Sequence, residues 1–435
     1  MLPFSSRSKV CSTVPTTSYP EIKENQFSVF FQQYLSKEDP VSEKCMVMQF
    51  IKQNDLDGLG QYLKQRNITS LDLKDCSLDS QDAKVIAEFL KGDKTLLAIN
   101  LSENQFGEDG LSSICSALKE NAALTDLILD HNDFSKTVPR NAIAETIAEN
   151  RTLRKLTLRC CSIGAEGTAV LAKGLQKNRS LNQLSLVGNS LGDEGISSIT
   201  SSLKNNDSLK FLDLSSNRAG PESGKLLAGM LKEKCRLTTL NISDNTLGSD
   251  GAAPILAALK NNTVLRNLFL YHAGLDNRSA APIASLLQEN TTLSWLDFSS
   301  NKIFVPVGVS NNDAIDCIVH GLEHNTVVIN LDLKWNHPIH QSIVGRPPMY
   351  GEWGMKQAGE DIGRIDNLLE RNRTLDALST KDAYVCSQLF PGQQLSMDEG
   401  KVLASAMIIT APGIAAYDVT MLEIQCCVNV LAAQT

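Results

Sequence analysis

Three kinds of residue in this 435-residue chain have types and spacings that could do chemistry. Gly220-Pro-Glu-Ser-Gly224-Lys225-Leu226 offers the glycines and lysine of a loop whose backbone N–H groups cradle phosphates. It has three residues between the glycines where four are needed, and no serine or threonine follows the lysine, so nucleotide binding is not expected. His320-Gly-Leu-Glu323-His324 sets two imidazoles one helical turn apart around a carboxylate, as a zinc site on a helix would. The order is not His-Glu-x-x-His, and a solvent-facing pair is expected instead. Eleven cysteines are scattered, with adjacent pairs at 160–161 and 426–427 and no Cys-x-x-Cys. None has a histidine and a carboxylate at a spacing that would activate a thiolate. The chain therefore reads as a non-enzyme with no cofactor, no metal and no small-molecule substrate.

The elements that carry these residues follow one phrase, leucine–x–leucine–x–x–asparagine. It runs from Leu71-Asp-Leu73-Lys-Asp-Cys76 and Ile99-Asn-Leu101-Ser-Glu-Asn104 through Leu184…Asn189 and Leu212…Asn217 to Leu331…Asn336. Its last position, the anchor, recurs every 28 residues, once after 29 and finally after 35. Between anchors comes Gly-x-x-Gly and a helical stripe, as in Gly107-Glu-Asp-Gly110-Leu111 with Ile114 and Leu118. Each unit is thus one strand and one helix, and such a period means a solenoid of leucine-rich repeats. Strand alternation turns Leu184 and Leu186 inward and Ser185 and Val187 outward. Anchor asparagines can bond backbone groups in the turn leaving each strand, stacking into a ladder. Cys76 and Cys161 can fill that slot as small residues with a weak donor. Ala273 cannot, so the eighth turn is expected to be the least well satisfied.

With a full helix in each 28-residue unit, residues 55 to 380 resemble the ribonuclease-inhibitor type of leucine-rich repeat. That type is found in ribonuclease inhibitors, NOD-like receptors, Ran GTPase activators and some effectors of intracellular bacteria. The resemblance implies an α/β horseshoe with a concave parallel sheet and convex helices, the motif residues being structural in all these families. Ran GTPase activators place an arginine near the phosphates, which makes Arg140 and Arg159 the candidates for that alternative activity. The long acidic tail of that family is missing here.

The concave face carries the functional expectation. Its strand positions offer Asp72, Asp75, Glu103, Asp130, Asp213, Asp244, Asp297 and Asp332 against Lys74, Arg159 and Lys334. Asp72, Asp213, Asp297 and Asp332 share one slot, where aspartate serves the repeat. Phe269, Tyr271 and His272 in the eighth strand, Trp295 at the ninth and Trp335 in the tenth gather toward one end. Exposed aromatics are usual anchors of protein interfaces, so a protein partner is expected on Phe269, Tyr271, His272, Trp295, Asp297, Asp332 and Trp335. The alternative is that an insertion at 337–355 folds back over them.

Composition sets the remaining bounds. A formal charge of −8 argues against generic nucleic-acid or anionic-membrane binding. Scattered cysteines at core or anchor positions favour reduced thiols in the cytoplasm. The Asn-x-Ser/Thr sequons at Asn150, Asn178, Asn206, Asn290 and Asn372 mostly fall at one repeat position, so the repeat explains them. Residues 1–22 read as a disordered arm and 23–66 as a helical N-terminal cap. Repeats fill 67–380, with insertions at 302–312 and 337–355, and 381–435 read as degenerate closing repeats with a further strand near 420–426. The apolar run Val402 to Ala416 is too short to span a membrane. The sequence thus points to a cytoplasmic protein-binding module. Its expected role is that of a bacterial effector in host cytosol, with an innate-immune sensor fragment as the alternative.

Overall fold

The computed structural model describes residues 40–204, 206–233, 235–304, 312–336 and 363–373. The expectations for 1–22, for 23–39 of the N-terminal cap, for 305–311 of the first insertion, for 337–355 and for 381–435 lie outside the described residues. Strand and helix alternate along the chain. Helices α1 (Pro40–Gln53) and α2 (Leu56–Arg66) lead into β1 (Ser70–Asp72), α3 (Ser80–Gly92), β2 (Ala98–Asn100), α4 (Gly107–Glu120) and β3 (Asp126–Ile128). Then follow α5 (Thr137–Glu149), β4 (Lys155–Thr157), α6 (Gly164–Lys177), β5 (Gln183–Ser185), α7 (Gly192–Leu203) and β6 (Phe211–Asp213). After α8 (Pro221–Lys232) come β7 (Thr239–Asn241), α9 (Gly248–Leu259), β8 (Asn267–Phe269), α10 (Ala280–Glu289), β9 (Trp295–Asp297), α11 (Asn312–Glu323) and β10 (Asn330–Asp332). Residues 363–373 form a further helix. The ten strands take chain order in one sheet, the α/β repeat architecture read from the phrase.

Two compact units divide the chain, Met1–Ala258 with Phe269–Gly274, and Leu259–Leu268 with Leu275–Thr435. In the first, β1 to β7 pair in parallel without a slip, equivalent residues facing each other as Leu156 faces Leu184 and Leu184 faces Leu212. In the second, β9 and β10 pair likewise through Leu296 and Leu331. The phrase leucines are sealed, with Leu184, Leu186, Leu212 and Leu214 at most 1% exposed, as are the stripe residues Leu111, Ile114 and Leu118. Each such burial contributes about 1.5–3 kcal/mol.

The Gly-x-x-Gly pattern splits into two physical roles. Gly192, the first of its pair, sits at φ +59, the left-handed backbone that an L side chain resists. Gly251, the second of its pair, has φ in the ordinary range, but a Cβ there would come within 2.8 Å of the Pro221 backbone, and one on Gly224 within 2.0 Å of the Gly251 carbonyl oxygen, so both are needed for close helix packing. That second role also accounts for the phosphate-loop look of Gly220–Leu226. The start of α8 is closed by Asp193, whose carboxylate accepts the Gly220 N–H at 2.9 Å and the Ser223 N–H at 3.0 Å. Partial burial opposes the Asp193 charge, but the Ser223 hydroxyl and these N–H groups outweigh it and hold the carboxyl below its usual range.

The anchor ladder is present. Asn189 Oδ1 accepts the Cys161 and Ile163 N–H groups at 2.9 and 3.3 Å. Its Nδ2 donates to the Leu158 and Leu186 carbonyls at 2.7 and 2.9 Å. Asn217 in turn accepts the Asn189 N–H at 2.8 Å. Each side chain therefore satisfies the turn of the repeat before it. Cys161 keeps part of the donor role, its Sγ lying 3.3 Å from the Leu129 carbonyl oxygen. Ala273 is fully buried and brings no side-chain acceptor for the Asn245 and Leu247 N–H groups that an anchor amide there would receive.

A second asparagine ladder, not foreseen as one, closes the helix ends. Asn150, Asn178, Asn206 and Asn290 are buried, and each amide donates to a helix-end carbonyl of the preceding repeat, as Asn150 does to Leu118 at 2.7 Å. Asn150 Oδ1 also accepts the Thr152 and Leu153 N–H groups. Four of the sequons are thereby helix caps whose Nδ2 is already committed. Asn372 donates to the Val328 carbonyl at 2.8 Å, and Ile365 and Leu369 of the same helix are buried.

At the other end, Asp55 caps α2 through the Gly58 N–H at 2.8 Å. Both α1 and α2 pack against α3, and Lys52 of α1 pairs with the buried Asp82.

Asn189→Ala is expected to cost roughly 1–3 kcal/mol in denaturant melts, because it strands buried N–H groups on both sides of one turn. Ala273→Asn should be neutral or stabilising, since it supplies the missing acceptor. A neutral Asn189→Ala result would refute the ladder.

Candidate functional site: the open face of the sheet

On the face opposite the leucines, the residue between the two leucines of the phrase has one recurring task. Asp72, Asn100, Asp213, Asn241, Asp297 and Asp332 each accept the N–H two residues on, at 2.8 to 3.1 Å. Asparagine and aspartate are interchangeable in this bond, so much of the acidity of this face is structural, as expected for that slot. The bond also holds the carboxylates low between strands. Asp297 is 8% exposed, and its Oδ1 also takes the Ser299 hydroxyl at 2.6 Å. Burial pushes its pKa up, Asp332 adds to the effect, and the two bonds from Ser299 only partly offset it. Asp213 is raised for the same first reason, opposed by Ser215 and by the charge of Arg159.

Of the aromatic and acidic residues expected on this face, the first unit holds Phe269, Tyr271 and His272. Phe269 is a correction, being buried at 9% exposure. It lies in a strand whose backbone bonds to its neighbour, the Ile242 N–H meeting the Phe269 carbonyl at 3.1 Å, and walls only ~4.8 Å apart leave little of a ring open. Tyr271 is half-buried. His272 is exposed, with Nδ1 3.0 Å from the Asp244 carboxylate and its ring 6.0 Å from that of Tyr271. The second unit holds Trp295, Asp297, Asp332 and Trp335. Trp295 and Asp332 are half-buried, Asp297 is buried contrary to expectation, and Trp335 is 53% exposed. Lys334 Nζ lies 3.4 Å from Asp332.

The open face also bears residues that the sequence reading passed over. Lys155 and Asp126 open strands β4 and β3 and face each other in register, both buried. Burial lowers the Lys155 pKa, and Asp126 and Asp130 oppose that shift. The position before the first leucine of the phrase alternates outward too, and that period could have found them.

The remaining candidates resolve simply. Arg140 is held by its own turn, Nε donating to the Phe134 carbonyl at 2.9 Å, whereas Arg159 is exposed on the open face. His320 and His324 are both exposed, their rings edge to face at 4.9 Å, with His320 beside Glu323 at 3.3 Å. Among the described residues no group of three or more histidine, cysteine or acidic side chains could hold a metal ion, and no helix is long and apolar enough to cross a membrane. The described cysteines are free thiols. Cys115, Cys161 and Cys235 are buried, whereas Cys45 and Cys317 are exposed. Burial pushes the Cys115 thiol up to about 12.

A family model described as Leucine Rich repeat matches residues 92–115, 149–172, 177–199 and 234–256. Among known proteins, NACHT, LRR and PYD domains-containing protein 4B of Mus musculus is 31% identical over 129 residues, 29% of this chain and 15% of that protein. Ribonuclease inhibitor of Mus musculus is 28% identical over 109 residues, 25% of this chain and 24% of its own. The Sus scrofa ribonuclease inhibitor is 28% identical over 133 residues, 29% of each. The match thus spans less than a third of each relative's length.

Asp297→Asn tests the structural reading of the acidic slot. The Asp297 pKa is raised on folding, so its contribution is fully present below the ordinary aspartate value near 3.9 and is lost as pH rises through the folded value. The asparagine variant keeps the acceptor and does not titrate. Its denaturant midpoint should exceed wild type at pH 7, with the gap closing as pH falls below about 3.9. A variant less stable at pH 7 would contradict this.

Proposed function

We propose that this chain, a leucine-rich-repeat protein of the ribonuclease-inhibitor type, is a non-enzymatic module that holds a protein partner on the open, concave face of its sheet. The observation that carries the reading is Trp335. In every repeat the residue just before the anchor lies in the left-handed region, from Asp75 at φ +53 to Trp335 at φ +60. That backbone costs an ordinary L residue about 1–2 kcal/mol. Elsewhere the position is held by Gly188, by the short Asp75, Cys160, Ser216, Asp244 and Ser300, and by the polar Glu103, His131 and His272, so Trp335 is its one indole. Tryptophan has neither glycine's freedom nor a short polar side chain, and at 53% exposure its indole recovers little by burial. A strained, exposed aromatic contributes to recognition more than to folding.

Trp295 and Asp332 in the same unit are the supporting contacts. In the other unit Tyr271 and the exposed His272, paired with Asp244, are contacts of the same kind. The neighbouring acids favour a partner with a basic rim, so association weakens as salt screens them. The setting we assign is the cytoplasm. The two roles compatible with such a module are an effector acting inside a host cell and a fragment of an innate-immune sensor. A Ran-type GTPase-activating role is disfavoured at Arg140, whose side chain is spent on the Phe134 carbonyl.

Trp335→Gly separates recognition from folding. Glycine relieves the left-handed backbone, so stability should be unchanged or up to ~1 kcal/mol higher. The partner captured from eukaryotic or bacterial lysates should bind about thirtyfold more weakly, the effect of losing a hot spot worth ~2 kcal/mol. Glu103→Ala should leave capture intact. Full capture by the folded glycine variant would move the binding surface away from Trp335.

A further inference from the structure

Six of the ten strands carry the recurring acceptor of the open face, and in β4, which does not, groups are left that a ligand would satisfy. Thr157 occupies the slot between two phrase leucines, where Asp213 or Asn241 accepts the N–H two residues on. In β4 that N–H belongs to Arg159, and it is taken at 2.8 Å by Asp130 from the neighbouring repeat. The Thr157 hydroxyl is thereby displaced from its task. It is buried, with the residue 4% exposed, and it has no hydrogen-bond partner, alone in this among the buried side-chain nitrogen and oxygen atoms of the described residues. An orphaned buried hydroxyl is costly and calls for an explanation.

Its neighbours along the chain supply one. Leu156 and Leu158 are fully buried on the inner side, so Lys155, Thr157 and Arg159 share the open face. Lys155 is balanced by Asp126 and Asp130. Arg159 is exposed, and among the described residues its guanidinium makes no hydrogen bond or ion pair, although its charge reaches Asp213. A guanidinium fork with unused donors lies two positions along the face from a hydroxyl with an unused donor. That set matches a carboxylate, with two bonds from the fork and one from the hydroxyl.

We propose that Arg159 and Thr157 form a subsite that takes a glutamate or aspartate side chain of the partner protein, and the inference rests on the partner-binding role of this face. The surrounding acids select the ligand. A carboxylate adds one charge beside Asp130 and Asp213, whereas a phosphate adds close to two, so the single charge is preferred.

The experiment follows the Thr157 methyl and Arg159 Nε–H resonances of the whole chain by NMR during titration with N-acetyl-glutamate α-amide. Parallel titrations use the neutral glutamine analogue and inorganic phosphate. Saturable shifts at both groups are expected, with a Kd of roughly millimolar order, as for a single ligand side chain. The glutamine analogue should bind at least tenfold more weakly, and phosphate more weakly than the glutamate compound. Arg159→Gln should weaken binding at least tenfold, and Thr157→Val several-fold. Thr157→Val should also melt at or above the wild-type temperature, since valine keeps the shape and removes the orphaned hydroxyl. No saturable shift, tighter binding of phosphate, or unchanged binding by Arg159→Gln overturns the proposal. So does a Thr157→Val variant that melts lower, because the hydroxyl would then serve the fold. The titration uses no partner, so its failure leaves the Trp335 reading standing, and partner capture that ignores Trp335 leaves the subsite standing.

Discussion

The turn that leaves each strand is the constraint from which the rest follows. There the chain enters the left-handed region and turns backbone N–H groups inward, where water cannot reach them. No group within the same repeat serves them. The acceptor is the anchor amide of the next repeat, as Asn189 serves Cys161 and Asn217 serves Asn189. A second set of buried amides does the corresponding work where each helix ends, as Asn150 does for Leu118. The leucines supply most of the burial energy, but apolar contact is non-directional and tolerates a slip. Hydrogen bonds do not. Where both amides are present, as Asn178 with Asn189 and Asn206 with Asn217, they fix the two corners of a repeat, and equivalent residues stay opposite one another along β1 to β7.

The same economy of backbone bonding shapes the electrostatics of the open face. Carboxylates between the leucines are acceptors first and charges second. Asp297 and Asp213 are held low enough for burial to raise their pKa values, and Asn100 and Asn241 do the same task without charge. Counting acids on this face therefore overstates what a partner would meet. The recognition we propose for this face falls to positions where the repeat departs from its own pattern. These are the left-handed residue before the anchor, which becomes Trp335 in the tenth repeat, and the hydroxyl slot of β4, whose partner N–H has been taken by Asp130. Trp335 departs from the glycine, cysteine and polar residues that hold its position in the other repeats, and Thr157 carries the one orphaned buried hydroxyl among the described residues. Such breaks are where function is sought, because the fold gains nothing from them.

What the sequence determined by itself is the part of the protein governed by period. The spacing of 28 residues and the alternation about each leucine pair decided the strands, the helices, their order, the sealed leucines and the anchor ladder, because each depends only on residues at a fixed offset. The depth of a side chain was not legible. Phe269 and Asp297 alternate outward and yet are buried, because exposure on a sheet is decided by the residues across the strand rather than along it. Nor could the sequence show that the sequon asparagines form a second ladder, that Asp193 closes the start of α8, or that Asp130 displaces Thr157. Each of these joins residues 27 to 32 positions apart, and only the stacking of one repeat on the next brings them within a hydrogen bond.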